Sequence, residues 1–130
     1  MTRREWPHPK IGSAPGFSRA LEVPQGRTIY FAGQVPTDET GATIGAGDIG
    51  AQADVCLAKI KEMLESAGGT MHDIAKVNMY VTDMTRMEAV QRVRETYFTR
   101  APYPAMTGVE VTALANPAWM IEIEAIAVVA

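Results

Sequence analysis

The last stretch of the chain, Trp119-Met120-Ile121-Glu122-Ile123-Glu124-Ala125-Ile126-Ala127, restricts the fold more than any other segment. Its alternation and β-branched residues predict a long strand running from Trp119 to Val129. Period two puts Ile121, Ile123, Ala125 and Ala127 on one face, and Met120, Glu122, Glu124, Ile126 and Val128 on the other. The first face needs a covering layer. The second mixes two carboxylates with apolar neighbours. One reading is a half-exposed strand with solvated glutamates. The other puts one glutamate in an apolar cleft, where desolvation raises its pKa and lets it pass protons to and from a bound water.

The rest of the chain supplies the covering layer. Asp48 reads as an N-cap, followed by Ile49, Ala53, Cys56, Ile60, Met63, Leu64 and Ala67 at helical spacing, with Gly68-Gly69 as the stop. Asp83 or Thr85 caps a second helix whose stripe is Met84, Met87, Val90, Arg94 and Tyr97, with Arg94 at its edge. Strands are expected at Phe17 to Val23, Thr28 to Ala32, Ile74 to Val81 and Ala105 to Thr112. The first two form a hairpin across Pro24-Gln25-Gly26-Arg27, and Gly33 ends the second. Gly108 inside a strand points to a bulge or a close backbone approach. Residues 1–15 are polar and proline-rich and read as an N-terminal arm, partly ordered at best.

The order β-β-α-β-α-β-β gives an α+β class, with two helices on one face of a mixed sheet. With 130 residues, 47% of them hydrophobic, the chain is expected to form one domain over 1–130 with one core. No further layer is left for the second sheet face, so self-association is expected to cover it.

Several classes of function are disfavoured by composition. A formal net charge of -3 with scattered arginines works against nucleic-acid binding. No apolar run is long enough to span a bilayer and the first residues lack a signal-peptide stretch, so a cytoplasmic location is expected. Cys56 is the sole cysteine and lies on the apolar helix stripe, which makes it a buried structural thiol. His8 and His72 lack ligand spacing, so no metal is expected. Gly41 to Gly47 is glycine-rich without P-loop spacing or a lysine and reads as a plain loop.

Several segments in one order carry a resemblance: Phe31-Ala32-Gly33-Gln34-Val35-Pro36, Gln52, Leu64-Glu65-Ser66-Ala67-Gly68, and Asp73-Ile74-Ala75-Lys76-Val77. Val81-Thr82-Asp83-Met84, Tyr97-Phe98, Tyr103-Pro104-Ala105 and the closing Ile121 to Ala127 continue it. Over roughly residues 12–130 the series resembles the RidA/YjgF family. The resemblance implies a chorismate-mutase-like, ferredoxin-like α+β fold and a homotrimer with small-molecule clefts between subunits. It implies a cofactor-independent hydrolase (deaminase) of enamine or imine intermediates. Glu122 stands at the position of the water-positioning glutamate, and Gly33 at that of the glycine whose backbone lines the cleft. Thr107 keeps the hydroxyl of a family serine.

Other positions depart from the family. Met106 stands where the family has the arginine that holds the substrate carboxylate. Gly108 stands for a cysteine whose backbone N–H faces the ligand, Phe17 for a tyrosine and Gln91 for a helix asparagine. A thioether cannot imitate a bidentate arginine, and an unpaired desolvated carboxylate costs on the order of 3–5 kcal/mol. Small 2-imino acids in the usual pose are therefore disfavoured, and Arg19 and Arg94 are the candidates for a replacement cation. Three functions follow: a deaminase of altered specificity, a non-catalytic small-molecule-binding or regulatory trimer, and an endoribonuclease or translation inhibitor. The acidic charge speaks against the last.

Overall fold

A computed structural model describes residues 2–6 and 8–130. The elements run β1 (Arg4–Glu5), β2 (Leu21–Glu22), β3 (Arg27–Gln34), α1 (Ile49–Ser66), β4 (Ile74–Val81), α2 (Met87–Tyr97), β5 (Ala105–Glu110) and β6 (Ile121–Val129). Short 3-10 turns, Met71–Asp73 and Met84–Arg86, lead into β4 and α2.

The long helix begins and ends where its residues dictate. The Asp48 carboxylate accepts the Ala51 N–H at 3.0 Å, satisfying an otherwise orphaned donor. After Ser66, Gly68 takes a φ of +84°, and the Gly69 N–H returns to the Leu64 carbonyl at 2.9 Å. That closure favours glycine because a side chain is strained at positive φ.

The main sheet has the order β3-β6-β4-β5. β6 is thus internal and pairs antiparallel with both β3 and β4, while β5 runs parallel to β4 at the edge. Central placement explains why β6 is the richest apolar strand. Its odd residues, Ile121 to Val129, join Val77, Val81, Phe31 and the α1 residues Ala53, Cys56, Leu57, Ile60 and Leu64 in one core. Both helices therefore cover one face of a mixed sheet, the α+β arrangement expected. Among the described residues no layer lies over the face carrying Glu122, Glu124, Ile126 and Val128, and Tyr30 beside it is 76% exposed. No helix of the described residues is long and apolar enough to cross a membrane.

The start of the chain departs from expectation. The hairpin between Phe17–Val23 and Thr28–Ala32 does not form. Only Leu21–Glu22 is a strand, and it pairs with Arg4–Glu5 in a separate two-stranded sheet. The cause is competition for the segment's backbone. The Ser18 N–H donates to the Pro104 carbonyl at 3.0 Å, tying this stretch to the start of β5, and the Trp6 N–H takes the Ala20 carbonyl at 2.8 Å. The N-terminal arm is accordingly held at its near end: the Arg3 guanidinium donates to the carbonyls of His72 and Ile74. Met1 and Pro7, which belong to that arm, lie outside the described residues.

Gln52 is fully buried and ties α1 to the entry of β6. Its Nε2 donates to the Ala118 carbonyl at 2.9 Å, and its Oε1 accepts the Met120 N–H at 2.7 Å. Gln52→Leu keeps the volume but strands both backbone groups. The expected loss is roughly 2–4 kcal/mol of unfolding free energy, read by urea denaturation. Cys56 is also fully buried, and burial pushes its thiol up to about 12, so it is a neutral packing group.

Candidate functional site

The open face of the sheet is built by alternation. On β6 it carries Glu122 and Glu124, and on β4 their cross-strand partners Tyr80 and Asn78. Lys76 and, on β5, Ala105, Thr107 and Val109 extend the same face. Beside them, Tyr30, Ala32, Lys76, Asn78, Glu124 and Ile126 line a groove of about 420 Å³.

The two glutamates have different surroundings. Glu124 Oε1 accepts from the Tyr80 hydroxyl and from Asn78 Nδ2, the latter at 3.1 Å. The Tyr80 bond first, and the Asn78 bond second, hold its carboxyl below the usual glutamate range, and the same bond raises the Tyr80 phenol. The expectation of a glutamate raised by desolvation therefore fails for Glu124, because two donors outweigh the modest burial. A depressed folded pKa stabilises the fold above the unfolded value and loses that contribution as pH falls through the folded one. Thermal stability is expected to drop below about pH 4.5, the ordinary glutamate value. Tyr80→Phe should flatten that drop in melting curves between pH 3 and pH 7.

Glu122 instead lies against Gly33. The register of β3 on β6 shifts between Phe31 and Gln34, so β3 does not end at Gly33 but bulges there and runs on to Gln34. A methyl group at Gly33 would stand 2.7 Å from Glu122 Cδ and 2.9 Å from Cγ and Oε2. Glycine is needed here for close approach. The bulge and the bare backbone together form a slot for the Glu122 carboxylate.

Thr107 sits on this open face too, where its hydroxyl accepts from Lys76 Nζ at 2.8 Å. The remaining candidates sit elsewhere. Met106 pairs with Val77 and Gly108 with Met79, which places both on the helix-covered side of the edge strand. Met106 packs partly buried against the core, and a Cβ on Gly108 would stand 3.1 Å from Met87 Cε. The close approach expected of Gly108 is thus to a helix side chain. Phe17 is half-buried next to Ser18, which bridges to Ala105. Gln91 is exposed on α2.

Glu122, Gly33 and Thr107 therefore lie on the open face, with Thr107 two strands away from Glu122, whereas Met106 and Gly108 face the helices and Gln91 is exposed on α2. A single copy of the chain does not bring them together. Of the two candidate cations, Arg19 is exposed, while Arg94 is half-buried with Nη2 placed 2.9 Å from where a Gly16 Cβ would be. Sequence reasoning overlooked Lys76, Asn78 and Tyr80, whose alternation in β4 marks them as one polar row.

Comparison with known proteins gives the family and the fold. The Endoribonuclease L-PSP family matches residues 9–129. A RutC family protein of Pyrococcus abyssi is 37% identical over 85% of this chain and 84% of its own length. The 2-iminobutanoate/2-iminopropanoate deaminase of Salmonella typhimurium is 39% identical over 82% of this chain and 83% of its own. Among solved structures, YyfB of Yersinia pestis, a Rid family protein of unknown function, superposes with a TM-score of 0.87 at 36% identity. That alignment covers 99% of this chain and 100% of YyfB. By the family match over most of the chain and these relatives, the chain belongs to the RidA/YjgF family.

Proposed function

We propose that this chain hydrolyses reactive enamines or imines to a carbonyl compound and ammonia, in clefts formed between copies of a homotrimer. The observation that carries the reading is the Glu122 carboxylate seated against bare Gly33 backbone on an uncovered sheet face. There it takes a proton from water as the water oxygen bonds to the C=N carbon. The proton passes to nitrogen to give a carbinolamine. Its hydroxyl then yields its proton to the amino group as the C–N bond breaks, so ammonia leaves and the carbonyl forms. An enamine first takes a proton on carbon to become the imine. Relatives named as 2-iminobutanoate/2-iminopropanoate deaminases support the reaction class.

Two features support a site shared between copies. The open face holds Tyr30, Ile126 and Val128 with no layer over it among the described residues. The candidates split between that face and the β5 edge, so a neighbour's edge laid on the open face unites them. Phe17 and Met106 make the joined cleft more apolar at the position where the family has an arginine, which alters its specificity. Met106 also favours a second reading, a ligand-binding trimer without turnover. A net charge of -3 continues to oppose an endoribonuclease.

The test is ammonia release from freshly generated imines and enamines, aliphatic acidic and aromatic. Turnover identifies a hydrolase and its substrate class. Silence across the panel, with ligands still raising the melting temperature, identifies a binding protein.

A further inference from the structure

Two arginines of the chain are half-buried and described, Arg3 and Arg94. Arg3 gives its two terminal nitrogens to the carbonyls of His72 and Ile74, while its buried Nε has no partner among the described residues. Among the described residues, no carboxylate lies within 4.0 Å of the Arg94 guanidinium, and no acceptor takes its N–H groups, whereas Arg4, Arg86 and Arg92 each face a carboxylate. With no partner among the described residues, the planar fork of Arg94 keeps its N–H donors open to an anion.

Its position is specific. Met87, Gln91 and Arg94 share one side of α2 at spacings of four and three. Met87 reaches Gly108 on β5, and further along the same helix Arg94 reaches Gly16. Gly16 holds a φ of +76°, so a side chain there is both strained and in collision with Nη2 at 2.9 Å. The segment that follows, Phe17-Ser18, is bridged to Ala105, the residue before Met106. The guanidinium thus stands at Gly16, next in the chain to Phe17, whose neighbour Ser18 is bridged to the start of the strand that carries Met106.

We propose that Arg94 holds the ligand carboxylate in this cleft, from the helix instead of from the strand position that Met106 occupies. The proposal rests on the cleft assignment above and names its ligand class: imines that carry a carboxylate and a sizeable apolar group. The planar fork of Arg94 binds the carboxylate, while Phe17 and Met106 contact the apolar part.

The test uses phenylpyruvate, a 2-oxo acid, and phenylpyruvamide, its neutral counterpart, in titration calorimetry. Wild type, Arg94→Gln and Arg94→Lys are compared, with melting temperatures recorded. Arg94→Gln should weaken phenylpyruvate about a hundredfold, leave the amide unchanged and melt within a few degrees of wild type. Arg94→Lys should keep part of the affinity, since it retains charge but not the fork. The proposal is overturned if wild type fails to bind phenylpyruvate, if it binds acid and amide equally, or if Arg94→Gln stays within threefold. Arg94-dependent binding with no ammonia from any imine keeps the proposal and removes the hydrolase reading. Imine turnover indifferent to Arg94→Gln does the reverse.

Discussion

Glu122→Gln is expected to lower turnover of any accepted imine by about a thousandfold, with ligand affinity changed by less than about threefold. The amide is nearly isosteric, fits the same slot against Gly33, and cannot accept a proton from water. A fall in kcat with KM unchanged is the signature of a group that acts only in the reaction step. Glu124→Gln is the internal control. That carboxylate is already committed to Tyr80 and Asn78, so its loss should register in stability more than in turnover. Equal losses of turnover in the two variants would count against Glu122 as the proton carrier.

Gly33→Ala is the second large effect. The new methyl would stand 2.7 to 2.9 Å from three atoms of Glu122, closer than van der Waals contact permits. The glutamate side chain is flexible, and its face is uncovered, so it yields before the backbone does. The fold is expected to survive with a melting temperature lowered by only a few degrees. Turnover should fall on the order of a hundredfold, because displacing a catalytic group by about 1 Å costs that much. Ammonia release beside circular dichroism separates the two effects. A variant that keeps wild-type turnover would show that Glu122 does not work from this slot.

Much of this was legible in the residues. The alternation in Trp119 to Val129 determined a central strand with one core face, because side chains must leave a strand on alternate sides. Asp48 and Gly68-Gly69 marked the ends of α1, because unpaired N–H and C=O groups demand a cap and a left-handed residue. Cys56 was legible as core from its place on that stripe. The family was legible from a run of short segments in order.

Only the tertiary structure decided the rest, and each case is one of long-range contact. Whether Leu21–Glu22 pairs with β3 or with Arg4–Glu5 depends on which backbone groups Pro104 and Ala20 have already taken. The fate of the two glutamates depends on distant partners, for Glu124 on Tyr80 and Asn78, 44 and 46 positions away. For the other it depends on a β-bulge at Gly33 that no local pattern announces. The sequence offers Arg19 and Arg94 alike as cations, and only the fold sets Arg94 against Gly16, far off in sequence, while Arg19 is exposed. Periodicity describes which way a residue points; what it meets there is set by chain segments that folding alone brings together.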